Sequence, residues 1–541
     1  MDVKGSEKSE AQSSLSLWSL VVVLFSLLMI SESSYSFEAF EADCENDPRV
    51  ETGLVSLSVC VGAKIFFEET FDGNGRTCGT CHRAEDNFTI SPQFIKRLSS
   101  DDPLFVASNN VSIATLERPD FLRNFALILE NVDGREDLDN KFTLRSIPHT
   151  LSMATSLAPD VTDGTTIPPF ERTGWSGDGA PNDGTLRDFL TGAVIQHFPK
   201  DLSRVDGVSF RLPTEEELDF ALDFQIALGR TNEIDLSALQ LNDNAAQAGI
   251  DVFLNQGRCN ACHLNAGANF IVNGNNRNFN TGTEAARLRS VDAANIPRDG
   301  GFGGAGLTEF NVDTNGDNIN DAFGNGTFNS PPLIEAADTG PFFHTNASGD
   351  LEEAIEFYNS DAFANSPSGQ VGSPINLSRQ EVNQVGRLLR VLNAALNIDM
   401  ALQRLEAVIV VLDDFNGDSL ETQIDLIELA QFELEDARQV LLGTRGRILH
   451  QSAARDLQAA LQRTRRALGR DDDDDDDDDD EDGDRRRLMD DDDEDDDDDD
   501  DPIKDRDRRR LVNQAIDLAE RARAEFGQGI FYELGEGNLI R

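Results

Sequence analysis

Apolar residues recur at helical spacing through much of the later chain. Val382, Val385, Leu389, Leu392 and Leu396 fall at three- and four-residue steps, and Ser378 with Glu381 ahead of them has the form of a capping box. Ile427, Ala430, Leu434, Ala437 and Leu441 make a second stripe, with Gly443 as its stop. Leu457, Leu461 and Leu468 belong to a further helix, and Leu511 to Phe526 reads as a last amphipathic one. The pattern predicts that this last helix packs back on the two before it as a small bundle.

The start of the chain has a different pattern. An apolar run from Leu15 to Ile30 follows Lys4 and Lys8 and precedes Ser34 and Ser36. A basic start, a short apolar core and small residues three and one positions before a cut at Phe37 describe an export signal. The run is short for a spanning helix, which needs about 20 residues. The alternative is an uncleaved anchor, the one case in which a membrane is a partner. Either way the body is expected outside the cytoplasm, in a periplasmic or extracellular space. No second apolar run is long enough to span.

The 541 residues leave room for roughly three domains. Hydrophobic residues make up 39% of the chain and include 33 Phe, ample for a core. Net charge is −53, and Asp471 to Asp501 alone holds 25 acidic residues against three Arg. That balance excludes a generic nucleic-acid binder, because phosphate contacts need clustered Lys and Arg. The aspartate block repels itself and has only Leu488 and Met489 to bury, so it is expected to be disordered. A strongly acidic body favours basic electron-transfer partners, bound less tightly as salt rises.

Six His and six Cys leave few candidates for chemistry. Four of the Cys fall in Cys78-Gly79-Thr80-Cys81-His82 and Cys259-Asn260-Ala261-Cys262-His263. Two thiols three positions apart on a turn can form thioethers to the two vinyl groups of one haem, and the adjacent His can then face the iron. The alternatives are a redox Cys-x-x-Cys pair or a zinc site. Zinc would need further Cys and His brought together, and a redox pair needs no following His. Two copies, each with its His, point to two covalently attached haem c groups. Each copy follows a related lead-in: Gly62-x-x-Ile65-Phe66 before the first and Gly249-x-x-Val252-Phe253 before the second. The remaining pair, Cys44 and Cys60, is expected to form a disulfide in an oxidising compartment.

Around these motifs, residues 50 to 395 resemble the bacterial di-haem cytochrome c peroxidase and MauG superfamily. In the second half, Phe328-Asn329-Ser330-Pro331-Pro332-Leu333 is similar to that family's Phe-Lys-Thr-Pro-Ser-Leu. Gly340-Pro341-Phe342-Phe343-His344-Thr345-Asn346 is similar to Ala-Pro-Tyr-Phe-His-Asp-Gly, and Leu351 to Tyr358 to Leu-Glu-Glu-Val-Val-x-x-Tyr. In the first half, Leu144 to His149 is a loose match to Arg-Asn-x-Pro-Ser, and Gly174 to Gly179 a looser one to Phe-Trp-Asp-Gly-Arg.

The resemblance implies two haems with different jobs, one accepting electrons and one meeting peroxide, with a Trp between them. Trp175 matches that Trp. Tyr358 falls where MauG-like members place a Tyr on the second haem iron and classical-type peroxidases a Met; His344 is the rival ligand. A phenolate ligand would lower the potential. For the first haem, no His lies between His82 and His149, so its iron is either open or held by His149, Met153 or His197. The Gln and Glu that assist peroxide cleavage in the family have no clean match; Gln196 and His197 are the nearest polar pair. His197 is the candidate acid and base, since an unperturbed His titrates near neutrality.

Asp313, Asn315, Asp317 and Asp321 stand at the spacing of a calcium loop, but Asn318 replaces its turn Gly and Gly324 its closing Glu. The stretch reads as a shorter calcium loop or as a solvated turn. The family's own calcium, between the haem domains, uses an Asn at the position of Ser146.

The expected fold is mainly α. A signal occupies 1–36, two cytochrome c-like haem domains 37–235 and 236–396, and a helical extension 397–470. An acidic linker at 471–506 and a C-terminal helix at 507–541 complete it. The expected function is an exported oxidoreductase reducing hydrogen peroxide with electrons from a small cytochrome c or cupredoxin. MauG-like oxidation of a protein or organic substrate, or a non-enzymatic electron carrier, is the alternative.

Overall fold

The computed structural model describes residues 37–130, 142–163, 169–177, 184–285, 299–302, 324–443, 447–470 and 503–541. The export signal, the calcium-loop residues Asp313, Asn315, Asp317 and Asp321, and the aspartate block to residue 502 lie outside these. The described chain is mainly helical, and its strands are only two to four residues long. No helix among the described residues is long and apolar enough to cross a membrane.

Each half of the body is built on a pair of crossing helices. In the first, α1 (Leu57–Glu68) starts at Ser56, whose hydroxyl caps the Val59 N–H. It packs against a later helix, Glu215–Ile226, which opens with a Thr214/Glu217 capping box. Between them come α2 (Leu186–His197) and a short antiparallel pair, β1 (Leu127–Glu130) and β2 (Thr143–Ser146); Glu215–Ile226 is α3. In the second half, α4 (Asn244–Asp251) is capped by Asp243 and packs on the long helix α5 (Arg379–Asp414).

The lead-in glycines sit where these pairs touch. A Cβ on Gly62 would overlap the Phe220 carbonyl oxygen of α3, and one on Gly249 would overlap the Gln384 carbonyl oxygen of α5. The repeat seen in the sequence is therefore a repeated helix crossing that only Gly permits. Gly62→Ala and Gly249→Ala should each cost about 1–3 kcal/mol. The gain in helix propensity, at most about 1 kcal/mol, does not offset an overlap with backbone. Urea or thermal unfolding would read the loss, and Gly349→Ala, whose Cβ would enter open space, is the neutral control.

After α5 come α6 (Leu420–Val440), α7 (Gln451–Ala467) and α8 (Asp505–Ala524). Packing runs α5 on α6, α6 on α7, α7 on α8 and α8 back on α5, closing a four-helix bundle. The expected packing of α8 holds for α7, but its other main neighbour is α5 rather than α6. α5 runs unbroken through residue 396, where the composition shifts. Leu396, Ile398, Met400 and Ala401 on either side of it are all buried. A helix that is apolar on most faces belongs to the interior, and a shift in composition there does not make a boundary.

The last residues return to the body. Gly527–Gln528 pairs antiparallel with Gln240–Leu241. Asn538 exchanges hydrogen bonds with the Gly229 backbone (Gly229 N to Oδ1 2.7 Å, Nδ2 to Gly229 O 3.0 Å). Tyr532 donates to the Leu392 carbonyl at 3.0 Å. The buried guanidinium of Arg404 donates to the Asn538 carbonyl at 2.8 Å, and that of Arg49 to the Leu539 carbonyl at 3.0 Å. One apolar core consequently extends from Cys44 to Ile540. Cys44 and Cys60 are bonded, with an S–S distance of 2.02 Å, and tie the first described residues to α1.

Candidate functional site

The two Cys-x-x-Cys-His motifs reach the site by different local routes. The first is a single helical turn, Cys78–Cys81, held by reciprocal bonds between Thr77 and Thr80. The second is a tighter turn, Cys259–Ala261, reached through a widened helical segment, Val252–Gln256, and a left-handed residue, Arg258. Both motifs line one cavity of about 660 Å³. Trp175, His197, Tyr358, His344, His149 and Met153 line the same cavity, so every described candidate from the sequence is brought together.

All four motif cysteines are free thiols, half-buried on the cavity wall. Burial pushes Cys78, Cys259 and Cys262 up to about 12 and Cys81 up to about 11. They are protonated at neutral pH. A redox-active Cys-x-x-Cys needs the opposite, a thiol lowered by nearby positive charge. No group of three His, Cys, Asp or Glu side chains among the described residues converges on a metal-binding point.

The two motif histidines share one arrangement. Burial lowers each to about 4, so both are neutral imidazoles. His82 Nδ1 lies 2.9 Å from the Phe88 carbonyl oxygen. His263 Nδ1 lies 3.0 Å from the Pro331 carbonyl oxygen and 3.3 Å from that of Gly267. Because a carbonyl only accepts, Nδ1 carries the proton and Nε2 keeps its lone pair in both rings. This is the way a metal-ligating His is oriented by its surroundings. Pro331 belongs to the Ser330-Pro331-Pro332 stretch singled out in the sequence, and its carbonyl gives that stretch a physical task.

Trp175 lies at the seam of the two halves. Its indole Nε1 donates to the Ser146 carbonyl at 2.9 Å, while its own carbonyl accepts from Asn329 N at 2.9 Å. Ser146 reaches the second half as well, from N to the His344 carbonyl at 2.7 Å and from Oγ to the Phe343 carbonyl at 3.1 Å. Ser146 thus ties the two halves by direct hydrogen bonds across the seam.

His197 ends α2 and faces Glu130 of β1, Nε2 to Oε1 3.7 Å, an ion-pair distance. Gln196 Nε2 donates to the other Glu130 oxygen at 2.6 Å. Burial works to raise the Glu130 carboxyl, but His197, Arg145 and Gln196 together hold it below its ordinary range. Glu130 was not legible in the sequence. It ends a short strand whose alternate residues, Leu127 and Leu129, are buried, and nothing in that pattern marks it.

His344 is buried, stacked on Phe328 at 4.2 Å, and its Nε2 is 3.1 Å from Glu284 Oε1. That nitrogen is therefore engaged by a carboxylate. Tyr358 sits among the edges of Phe357 and Phe363. Burial, with Cys262 and Cys259 beside it, raises its phenol and keeps it protonated. His149 has an unpartnered buried Nδ1, next to two further unpartnered atoms, Arg230 Nη2 and Glu335 Oε2, of a buried ion pair.

A scan against protein-family models finds no match for the chain, and no curated protein matches it.

Proposed function

We propose that the chain is an exported di-haem c-type oxidoreductase that reduces hydrogen peroxide. The observation that carries the reading is the matched pair of neutral histidines, each with Nδ1–H tied to a backbone carbonyl and Nε2 free beside two protonated thiols. These residues fit haem c. Cys78 and Cys81 would hold one group with His82 toward its iron, and Cys259 and Cys262 the other with His263. When bound, the two groups would supply one-electron redox chemistry and an iron open to peroxide. Reduction of one hydrogen peroxide consumes two electrons and two protons, breaks the O–O bond and yields two waters. The electrons would come from a small cytochrome c or cupredoxin, in a periplasmic or extracellular space.

The chain's own residues would manage protons and position. His197, paired with Glu130 at 3.7 Å, would hold and deliver a proton at Nε2. Trp175 would bridge the halves with its indole fixed on Ser146. His197→Gln should lower peroxide turnover by about 10²–10⁴-fold with both haems retained. The assay is peroxide-dependent oxidation of a reduced small cytochrome c. Unchanged turnover in the variant would remove His197 from the mechanism, and no turnover in the parent protein would sink the peroxidase reading. Tyr358 beside the second pair of thiols supports the alternative, MauG-like oxidation of a protein or organic substrate. Calcium binding at Asp313, Asn315, Asp317 and Asp321 stays a proposal of the sequence.

A further inference from the structure

The carbonyl that orients His82 belongs to a turn, and that turn is held by a helix from the far end of the chain. Asn87 and Phe88 both have positive φ, 57° and 54°, and together they present the Phe88 carbonyl to His82 Nδ1. Asn87 is buried, and its Nδ2 donates to Asp436 Oδ2 of α6 at 3.1 Å. α6 lies outside the stretch that resembles the peroxidase family.

Asp436 stands in a cluster of acids drawn from every element around it. Glu433 shares α6, Asp86 comes from the same turn as Asn87, and Asp338 comes from the loop after Pro332. From α5, the amides of Asn393 and Asn397 donate to Asp338 Oδ2 at 2.9 and 2.6 Å. Arg404 of α5 holds one Glu433 oxygen at 2.8 Å; the other, Oε2, is buried with no partner. Asp338, Glu433 and Asp86 thus all act on Asp436, while Arg404 answers Glu433, and Arg97 with the Ser91 N–H and hydroxyl answers Asp86. No three of these carboxyls converge closely enough to hold a metal ion. Protons must then relieve the repulsion. Burial first, and the neighbouring carboxyls second, push Asp338 up to about 7 and Asp436 well above its ordinary range.

We propose that Asp436 is a positioning residue for His82, sharing proton occupancy with Asp338 and passing its ionisation through Asn87 to the Phe88 carbonyl. An ionised Asp436 makes a charge-assisted bond to Asn87, fixes the turn, and strengthens the acceptor that makes His82 basic. That favours an oxidised iron. The first haem becomes harder to reduce as the cluster loses protons. The inference rests on the di-haem reading, and it makes the C-terminal bundle a regulator of the first haem.

The test is a redox titration of both haems in the full-length holoprotein, from well below to well above neutral pH. The parent protein should show one midpoint potential that falls as pH rises through about 7. In Asp436→Asn the acceptor oxygen remains but the proton equilibrium does not, so that fall should be lost while the other haem is unaffected. Asn87→Gly, which tolerates positive φ, should lose it too. Should Asp436→Asn fail to fold, Asp338→Asn should move the fall to lower pH, because one carboxyl that raises Asp436 is gone. Variants that carry both haems and titrate like the parent would overturn the inference alone. A protein without covalent haem would overturn the di-haem reading and this inference with it.

A second readout needs no haem signal. A carboxyl raised in the folded state contributes stability that is present below its unfolded pKa and lost as pH rises through its folded one. The thermal midpoint should therefore fall as pH rises from about 4 to about 7 and level off above, and fall less in Asp338→Asn. A midpoint flat between about pH 4 and about pH 7 in the parent protein would overturn the shared proton.

Discussion

Exchanging Cys78 and Cys81 together for alanine is expected to remove one of two covalently attached haems and leave the other. The intact mass should drop by one haem and the alkaline pyridine spectrum should lose half its amplitude. Exchanging Cys259 and Cys262 should do the same, and exchanging all four should remove every attached haem. The expectation follows from geometry and charge. Both pairs are unbonded thiols on the wall of one cavity, kept protonated by burial, and each is followed by a neutral His with a free Nε2. Cys44 and Cys60 are already joined to each other, so they offer no substitute sulfur. Full haem content in either pair variant would contradict the assignment.

Ending the chain at Phe526 is expected to abolish folding. The lost segment buries Ile530, Tyr532, Leu539 and Ile540. At about 1.5–3 kcal/mol for each large apolar side chain, the loss is roughly 6–12 kcal/mol, against a usual total of about 5–15 kcal/mol. It also strips Arg49 and Arg404 of carbonyl acceptors in the interior and unpairs the Gln240–Leu241 strand. Replacing the aspartate block by a short Gly-Ser linker should instead leave the thermal midpoint unchanged. The end of α7 and the start of α8 are already adjacent, with Arg508 Nε donating to the Ala467 carbonyl at 3.1 Å. Circular dichroism and thermal unfolding of the two proteins would separate these outcomes. For the same reason, removing everything after residue 397 would cut α5 inside the core rather than free a separate module.

The helices after residue 378 were legible because their apolar stripes are long and regular, and the capping box at Ser378 and Glu381 forms as read. The paired lead-ins were legible as a repeat, and the structure adds that Gly62 and Gly249 are crossing points. What the sequence could not carry is contact at long separation. Asn538 bonding to Gly229, and Asp436 to Asn87, join residues hundreds of positions apart with no local signature. Glu130 is the same case inside the site, one carboxylate at a strand end whose role depends on where α2 places His197. At residue 396 the composition changes while burial does not, and α5 continues through it.

The most direct test of the central claim is an electron paramagnetic resonance spectrum of the fully oxidised protein, taken before and after adding hydrogen peroxide and repeated after partial reduction. The account predicts two ferric haem signals, one of them high-spin and depleted by peroxide. Two low-spin signals that peroxide leaves unchanged in both states would contradict it and leave an electron carrier; no haem signal at all would remove the basis of the di-haem reading.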